Sequence, residues 1–266
     1  MGFLRNFVGF QAESVGVRWN MDISDLRKKV NSEIFKKINP ELPIYDEKEN
    51  RLCELSKLIS GNRFLLHPLY RYVPVNGYVI DSLLHEKIYL ATADKMNDDY
   101  EGFIKNHAEG YNAFVQKSKQ FQKCTILKSF SECKNSLKMW ETYAEHHTGM
   151  RITYHFDELS SYLLNHFYPV QYKNEFFSCK HPDELRNSEY FYLRKTKKWE
   201  YEREWRFVYL SDRERFISLE NCITEVCFGA RMDENLRHSI VKAVKKAYPG
   251  RTITFRQATI GSRKLK

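Results

Sequence analysis

A chain of 266 residues can bury a sizeable core and suits one large domain, or a main domain with a smaller extension. Its 42% hydrophobic, 15% aromatic and 29% charged residues exclude global disorder and predict a core carried largely by rings. A formal charge of +9 favours anionic partners such as nucleotides, nucleic acid or acidic membrane surfaces, without choosing among them.

Ile23, Leu26, Val30, Ile34 and Ile38 recur at helical steps, and Leu52, Leu55 and Ile59 mark a second helix over 47–59. Residues 1–62 therefore read as a helical extension to an α+β domain at 63–266. In that domain Leu69 to Val73 is an aromatic strand ended by Pro74, followed by a helix over 79–86 and a strand over 88–91. A polar loop is expected at 96–102 and a helix at 103–122. A strand over 124–130, a helix over 137–146 and a strand over 150–156 come next. Val170 to Tyr172 reads as a strand and Tyr190 to Lys197 as a helix end. Along 204–210, Trp205, Phe207 and Tyr209 alternate with Glu204, Arg206 and Val208, the period of a strand. A strand at 223–228, a helix at 234–248 and a strand at 252–257 complete the chain. Short strands interrupted by helices, without strict βαβ repetition, predict an α+β fold.

Six cysteines without a C-x-x-C pair read as reduced thiols, and no ligand spacing calls for a metal. The N-terminus lacks a secretory hydrophobic run, and no apolar stretch reaches the roughly 20 residues that cross a bilayer. Both features predict a cytoplasmic protein. The basic clusters Arg194, Lys195, Lys197, Lys198 and Arg263, Lys264, Lys266 read as solvated faces.

Several motifs carry more information. Leu69-Tyr70-Arg71-Tyr72, Asn97-Asp98-Asp99-Tyr100-Glu101, Phe130-Ser131-Glu132, Met139-Trp140 with Tyr143-Ala144, and Trp199 to Arg206 follow one another along the chain. Together they resemble a bacterial domain family of unknown function. That family's pattern has N-D-P-F-E in the loop and W-x-Y-E-x-E-W-R near the end, so Asp99 and Tyr100 depart from it.

Arg71, Ser129-Phe130-Ser131 and Glu202-Arg203-Glu204 also stand in the order of the landmarks of ADP-ribosyltransferases of the Arg/Ser/Glu kind. Phe130 departs from the Thr common in those enzymes. The resemblance implies mostly antiparallel short-strand sheets with flanking helices, and NAD as substrate. Arg71 would contact NAD phosphate or ribose, and Ser131 or Ser129 would brace the pocket. Glu204 would be catalytic and Glu202 would orient the acceptor nucleophile. Tyr70, Tyr72 or Tyr143 would stack on nicotinamide or adenine. The chemistry asks for a fixed carboxylate, because cleaving the nicotinamide–ribose bond builds positive charge on the sugar. A protein or nucleic-acid acceptor, in phage defence or toxin activity, is the setting implied.

Other readings compete. Lys, Arg and exposed rings would also make a non-catalytic nucleic-acid-binding module. Asp98, Asp99, Glu101 and Glu204 around magnesium would make a nuclease. Glu202, Glu204 and Arg206, alternating on one strand face, would serve equally as cross-sheet ion pairs.

Overall fold

The chain begins its regular structure with β1 (Leu69–Val73), α1 (Gly77–Leu84), β2 (Lys87–Tyr89), β3 (Ala91–Thr92), β4 (Ile104–Asn106) and β5 (Thr125–Ser131). It continues with α2 (Leu137–Tyr143), β6 (Met150–Tyr154), β7 (Phe167–Pro169), β8 (Gln171–Tyr172), β9 (Phe177–Cys179) and β10 (Arg194–Lys195). A 3-10 helix, Lys197–Glu202, leads into β11 (Glu204–Leu210), β12 (Phe216–Ser218), β13 (Ile223–Phe228), α3 (Glu234–Ala247) and β14 (Thr254–Gln257). This computed structural model describes residues 68–95, 104–106, 123, 125–156, 163, 166–174, 177–179, 192–210 and 216–260. The expected N-terminal helices, the loop at 96–102 and most of the 103–122 segment lie outside the described residues.

An eight-stranded sheet forms the frame, in the order β14-β13-β6-β1-β5-β11-β7, with β3 also on β5. Within it only β13 and β14 pair in parallel; the fold is α+β with a mixed, mostly antiparallel sheet. Leu69, Phe130, Ile152, Phe207 and Phe228 put their side chains on one face, where Leu83 of α1 and Ile240 and Val244 of α3 cover them. Tyr70, Tyr72 and Cys227 lie on the other face under Met139 and Trp140 of α2. Period-two alternation thus buries both faces, as the aromatic content requires.

Local chemistry explains where the observed elements differ from those expected. Asn76 accepts a hydrogen bond from the Val79 amide at 3.0 Å and starts α1 two residues early. The strand expected at 88–91 is two strands, because β2 pairs with β12 whereas β3 pairs with β5. Helix α2 stops at Tyr143, after which Glu145, His146 and His147 take left-handed φ values of 51°, 52° and 71°. That turn returns the chain through Gly149, where any Cβ would collide with the carbonyl of Val73. Two expected helices are corrected. Residues 104–106 form β4, parallel to β9, and Arg194–Lys195 form β10, parallel to β8. Pairing with a distant strand overrode the local pattern in both.

Candidate active site

The site is built where two strands part. Strand β1 meets β5 at one position, Tyr70 opposite Ser131. Farther along the same edge β5 is taken by β3, with Ala91 opposite Leu127 and Thr92 opposite Ile126. Between those patches no described strand pairs with Lys128, Ser129 and Phe130 on that edge. A cavity of about 240 Å³ opens in the gap. Arg71, Tyr70, Tyr72, Ser129, Ser131, Tyr143, Glu202 and Glu204 all line it, together with Lys95, Lys128, Lys195 and Trp199. Four stretches of chain, far apart in sequence, therefore bring the candidate residues to one opening.

The carboxylate end is a chain of alternating charges. Arg206 sits beside Glu204 on β11 and grips it through Nε to Oε1 at 2.7 Å and Nη2 to Oε2 at 3.1 Å. Lys195 Nζ lies 3.3 Å from Glu204 Oε2 and 2.7 Å from Glu202 Oε2. Tyr143 donates to Glu202 Oε1, and Ser129 donates to the Glu204 carboxylate. All four charged groups are buried. Two acids and two bases sum to zero, which is what allows such a network inside a protein.

Serine 131 works on the backbone. Its hydroxyl donates to the Glu202 carbonyl and accepts the Cys133 amide at 2.9 Å, fixing the bend that presents the carboxylate. The Tyr172 hydroxyl accepts the Glu204 amide at 2.7 Å on the far side. Glu202 itself is not on the strand: it ends the 3-10 helix, and Arg203 takes a left-handed φ of 44° before β11 begins. The face shared by Glu202, Glu204 and Arg206 along one strand is thereby corrected. Only Glu204 and Arg206 share it.

The two carboxyls are pushed apart. Burial alone would raise the pKa of Glu204. The charges of Arg206 and Lys195, with hydrogen bonds from Arg206 and Ser129, outweigh it and hold this acid at about 2. Burial raises Glu202, and its neighbour Glu204 adds to the rise against the opposing charge of Lys195. Burial and the bond to Glu202 also raise Tyr143. One acid is held as the anion at neutral pH, and the other is the better proton acceptor.

The opposite wall is basic. Alternation from the register puts Arg71 and Lys128 on the sheet face away from Glu204 and Ser131. Both are half-buried and both reach the cavity through the gap. Arg71 is hydrogen-bonded to the Tyr154 hydroxyl. Tyr70 and Tyr72 are buried; the Tyr72 hydroxyl donates to the carbonyls of Cys133 and Lys134 at 2.9 and 2.7 Å, and its ring meets Trp140 edge-on at 5.2 Å. Both line the cavity, as do the half-buried rings of Tyr143 and Trp199.

From Met139 in α2 to Phe207 in β11, one continuous segment carries Tyr143, Lys195, Trp199, Glu202, Glu204 and Arg206. Residues 139–207 match the model of a protein family of unknown function, DUF2971. The DUF2971 segment thus contains the whole alternating-charge network, whereas Arg71, Lys128 and both serines lie outside it. Neither a curated protein nor a solved structure matches the chain. Among the described residues no group of His, Cys, Asp or Glu is placed to hold a metal ion. Asp98, Asp99 and Glu101, the other carboxylates of the nuclease reading, lie outside the described residues.

Lys195 and Lys128 line the cavity without standing among the candidates from the sequence, and Arg206 stood there only as an ion-pair residue, the role it has beside Glu204. Lys195 stood in a basic cluster taken as a solvated face, yet it is buried and carries both acids. The W-x-Y-E-x-E-W-R motif did contain Arg206, and its place two residues after Glu204 was the available signal.

Proposed function

We propose that this protein is an NAD-dependent ADP-ribosyltransferase acting on a protein or nucleic-acid acceptor. One observation carries the reading: Arg71, Ser129, Ser131, Glu202 and Glu204 border a single cavity at the parting of β1 and β5. The cavity is smaller than the roughly 300–1,000 Å³ of pockets that enclose drug-sized ligands. It suits the reacting end of a dinucleotide, leaving the adenosine half outside.

Transfer breaks the bond between ribose C1′ and the nicotinamide nitrogen, and the electron pair leaves with neutral nicotinamide. The sugar becomes oxocarbenium-like until an acceptor lone pair forms the new bond at C1′. A carboxylate that stays ionised at every working pH stabilises that positive charge, and the Glu204 environment supplies one. The acceptor must lose a proton as it attacks. Glu202, with its raised pKa and its position beside Glu204, is the group to receive it.

Nicotinamide release from NAD, with a labelled acceptor in cell extract, tests the proposal. Wild type is expected to release nicotinamide, and Glu204→Gln and Glu202→Gln to lose release while keeping a native circular-dichroism spectrum. Equal NAD consumption by wild type and a folded Glu204→Gln protein would sink the assignment.

A further inference from the structure

The chain around Glu202 joins rings to lysines. Tyr143 is hydrogen-bonded to Glu202, Tyr201 precedes it in the chain, and Trp199 lies 6.1 Å from Tyr201, ring centre to ring centre. All three rings are half-buried. Lys138 of α2 holds its Nζ 3.7 Å from the centre of the Tyr201 ring, and Lys198 holds its own 5.3 Å from that of Trp199. Both lysines are exposed, as are Lys134 and Lys197 on the same two stretches, 133–143 and 197–203. The exposed acids of those stretches are Glu141 and Glu200, and Glu141 already lies 2.7 Å from His146 and 3.2 Å from His147. Arg203, the remaining exposed cation there, pairs with Glu132. This surface is therefore basic as well as aromatic, and through Trp199 and Tyr143 it runs into the cavity.

We infer that this surface docks the acceptor, and that the acceptor is single-stranded nucleic acid, with neighbouring bases stacked on Trp199 and Tyr201. A half-buried ring offers stacking to any base, but only to one whose own face is free, and a duplex covers both faces of its bases. The lysines meet the backbone of the same strand. A base that takes a ring displaces a long, flexible ammonium chain, which then reaches the phosphates on either side. A protein acceptor fits less well, because contacts between proteins are depleted in lysine at their core. The inference rests on the transferase reading for the step that follows docking. There an N–H nitrogen of the docked base forms the bond to ribose C1′ as the bond to nicotinamide breaks, its proton passes to Glu202, and the electron pair leaves with nicotinamide. Docking itself needs no such step.

Fluorescence anisotropy of a mixed-sequence single-stranded oligonucleotide, made as DNA and as RNA, tests it. Wild type is expected to bind at least one of the two saturably at low salt, with an affinity that falls steeply as salt is added, and to bind the matching duplex more weakly. Trp199→Leu and Tyr201→Leu should each weaken binding about tenfold or more, and Lys138→Met should weaken it and flatten its salt dependence. Lys245→Met, an exposed site on α3, should bind as wild type does. The inference is overturned if wild type binds neither strand at micromolar concentration, if the duplex binds as tightly, or if folded Trp199→Leu and Tyr201→Leu proteins bind as wild type does. Nicotinamide release and transfer of labelled ADP-ribose, followed on the same samples, separate the two ideas. Oligonucleotide binding without nicotinamide release removes the transferase reading and leaves the docking surface. Release with label passing to proteins of a cell extract, and never to the oligonucleotide, removes the nucleic-acid acceptor alone.

Discussion

Arg206 holds Glu204, two positions back on the same strand, through two hydrogen bonds of 2.7 and 3.1 Å, and its guanidinium is wholly out of solvent. Its remaining nitrogen, Nη1, donates to the Tyr192 carbonyl. The arginine therefore fixes both the acid and the chain entering β10.

Replacing Arg206 with Met strands a buried carboxylate. A loss of about 3–5 kcal/mol is expected, the usual cost of removing one partner from a buried pair. Urea unfolding measures it. Because the two residues share one interaction, Glu204→Gln/Arg206→Met should lose less than the sum of the single changes. Strict additivity would show that the fork contributes nothing.

The sign of the acid response follows from Glu204. Its pKa falls from 4.5 to about 2 on folding, so its stabilisation is present above 4.5 and drains away as pH drops towards 2. Glu202 acts oppositely: its pKa is raised in the folded state, so its contribution favours folding at acid pH and is lost as pH rises. Thermal unfolding across this range should find Glu204→Gln less sensitive to acid than wild type, and Glu202→Gln more sensitive.

Lys128 offers a test on the basic side. Its pKa falls from 10.5 to about 7, so the unfolded chain binds the extra proton between those values and wild-type stability rises with pH there. Lys128→Met should melt at a higher temperature than wild type below pH 7. That advantage should shrink steadily as pH climbs towards 10.5.

Ser131→Ala removes a donor to the Glu202 carbonyl and an acceptor for the Cys133 amide. Leaving these buried groups unsatisfied should cost about 1–3 kcal/mol in chemical unfolding. Nicotinamide release should fall through kcat more than KM, because the serine positions Glu202 through its backbone carbonyl. A change confined to KM would argue for direct contact with substrate.

Much of the frame was legible along the chain. Alternation over 204–210 and the apolar strand at 223–228 came out as β11 and β13, and the amphipathic run from Glu234 came out as α3. These elements carry their own period. The short strands β4, β9 and β10 did not: they contain two or three residues each and exist because a partner lies beside them. The candidate residues were legible by type and order, from Arg71 to Glu204. Their assembly was not, because no local pattern records that β1 leaves β5 after one pair.

Sequence alone determined the α+β class, the principal strand faces and the identity of the acids, since periodicity and residue chemistry are local properties. Tertiary structure decided which charges meet. It turned Lys195 from an apparent surface residue into the bridge between Glu202 and Glu204, and it set Arg71 beside Lys128, with no acid paired to either among the described residues. Electrostatic pairing depends on distance and burial in space, and neither is set by spacing along the chain.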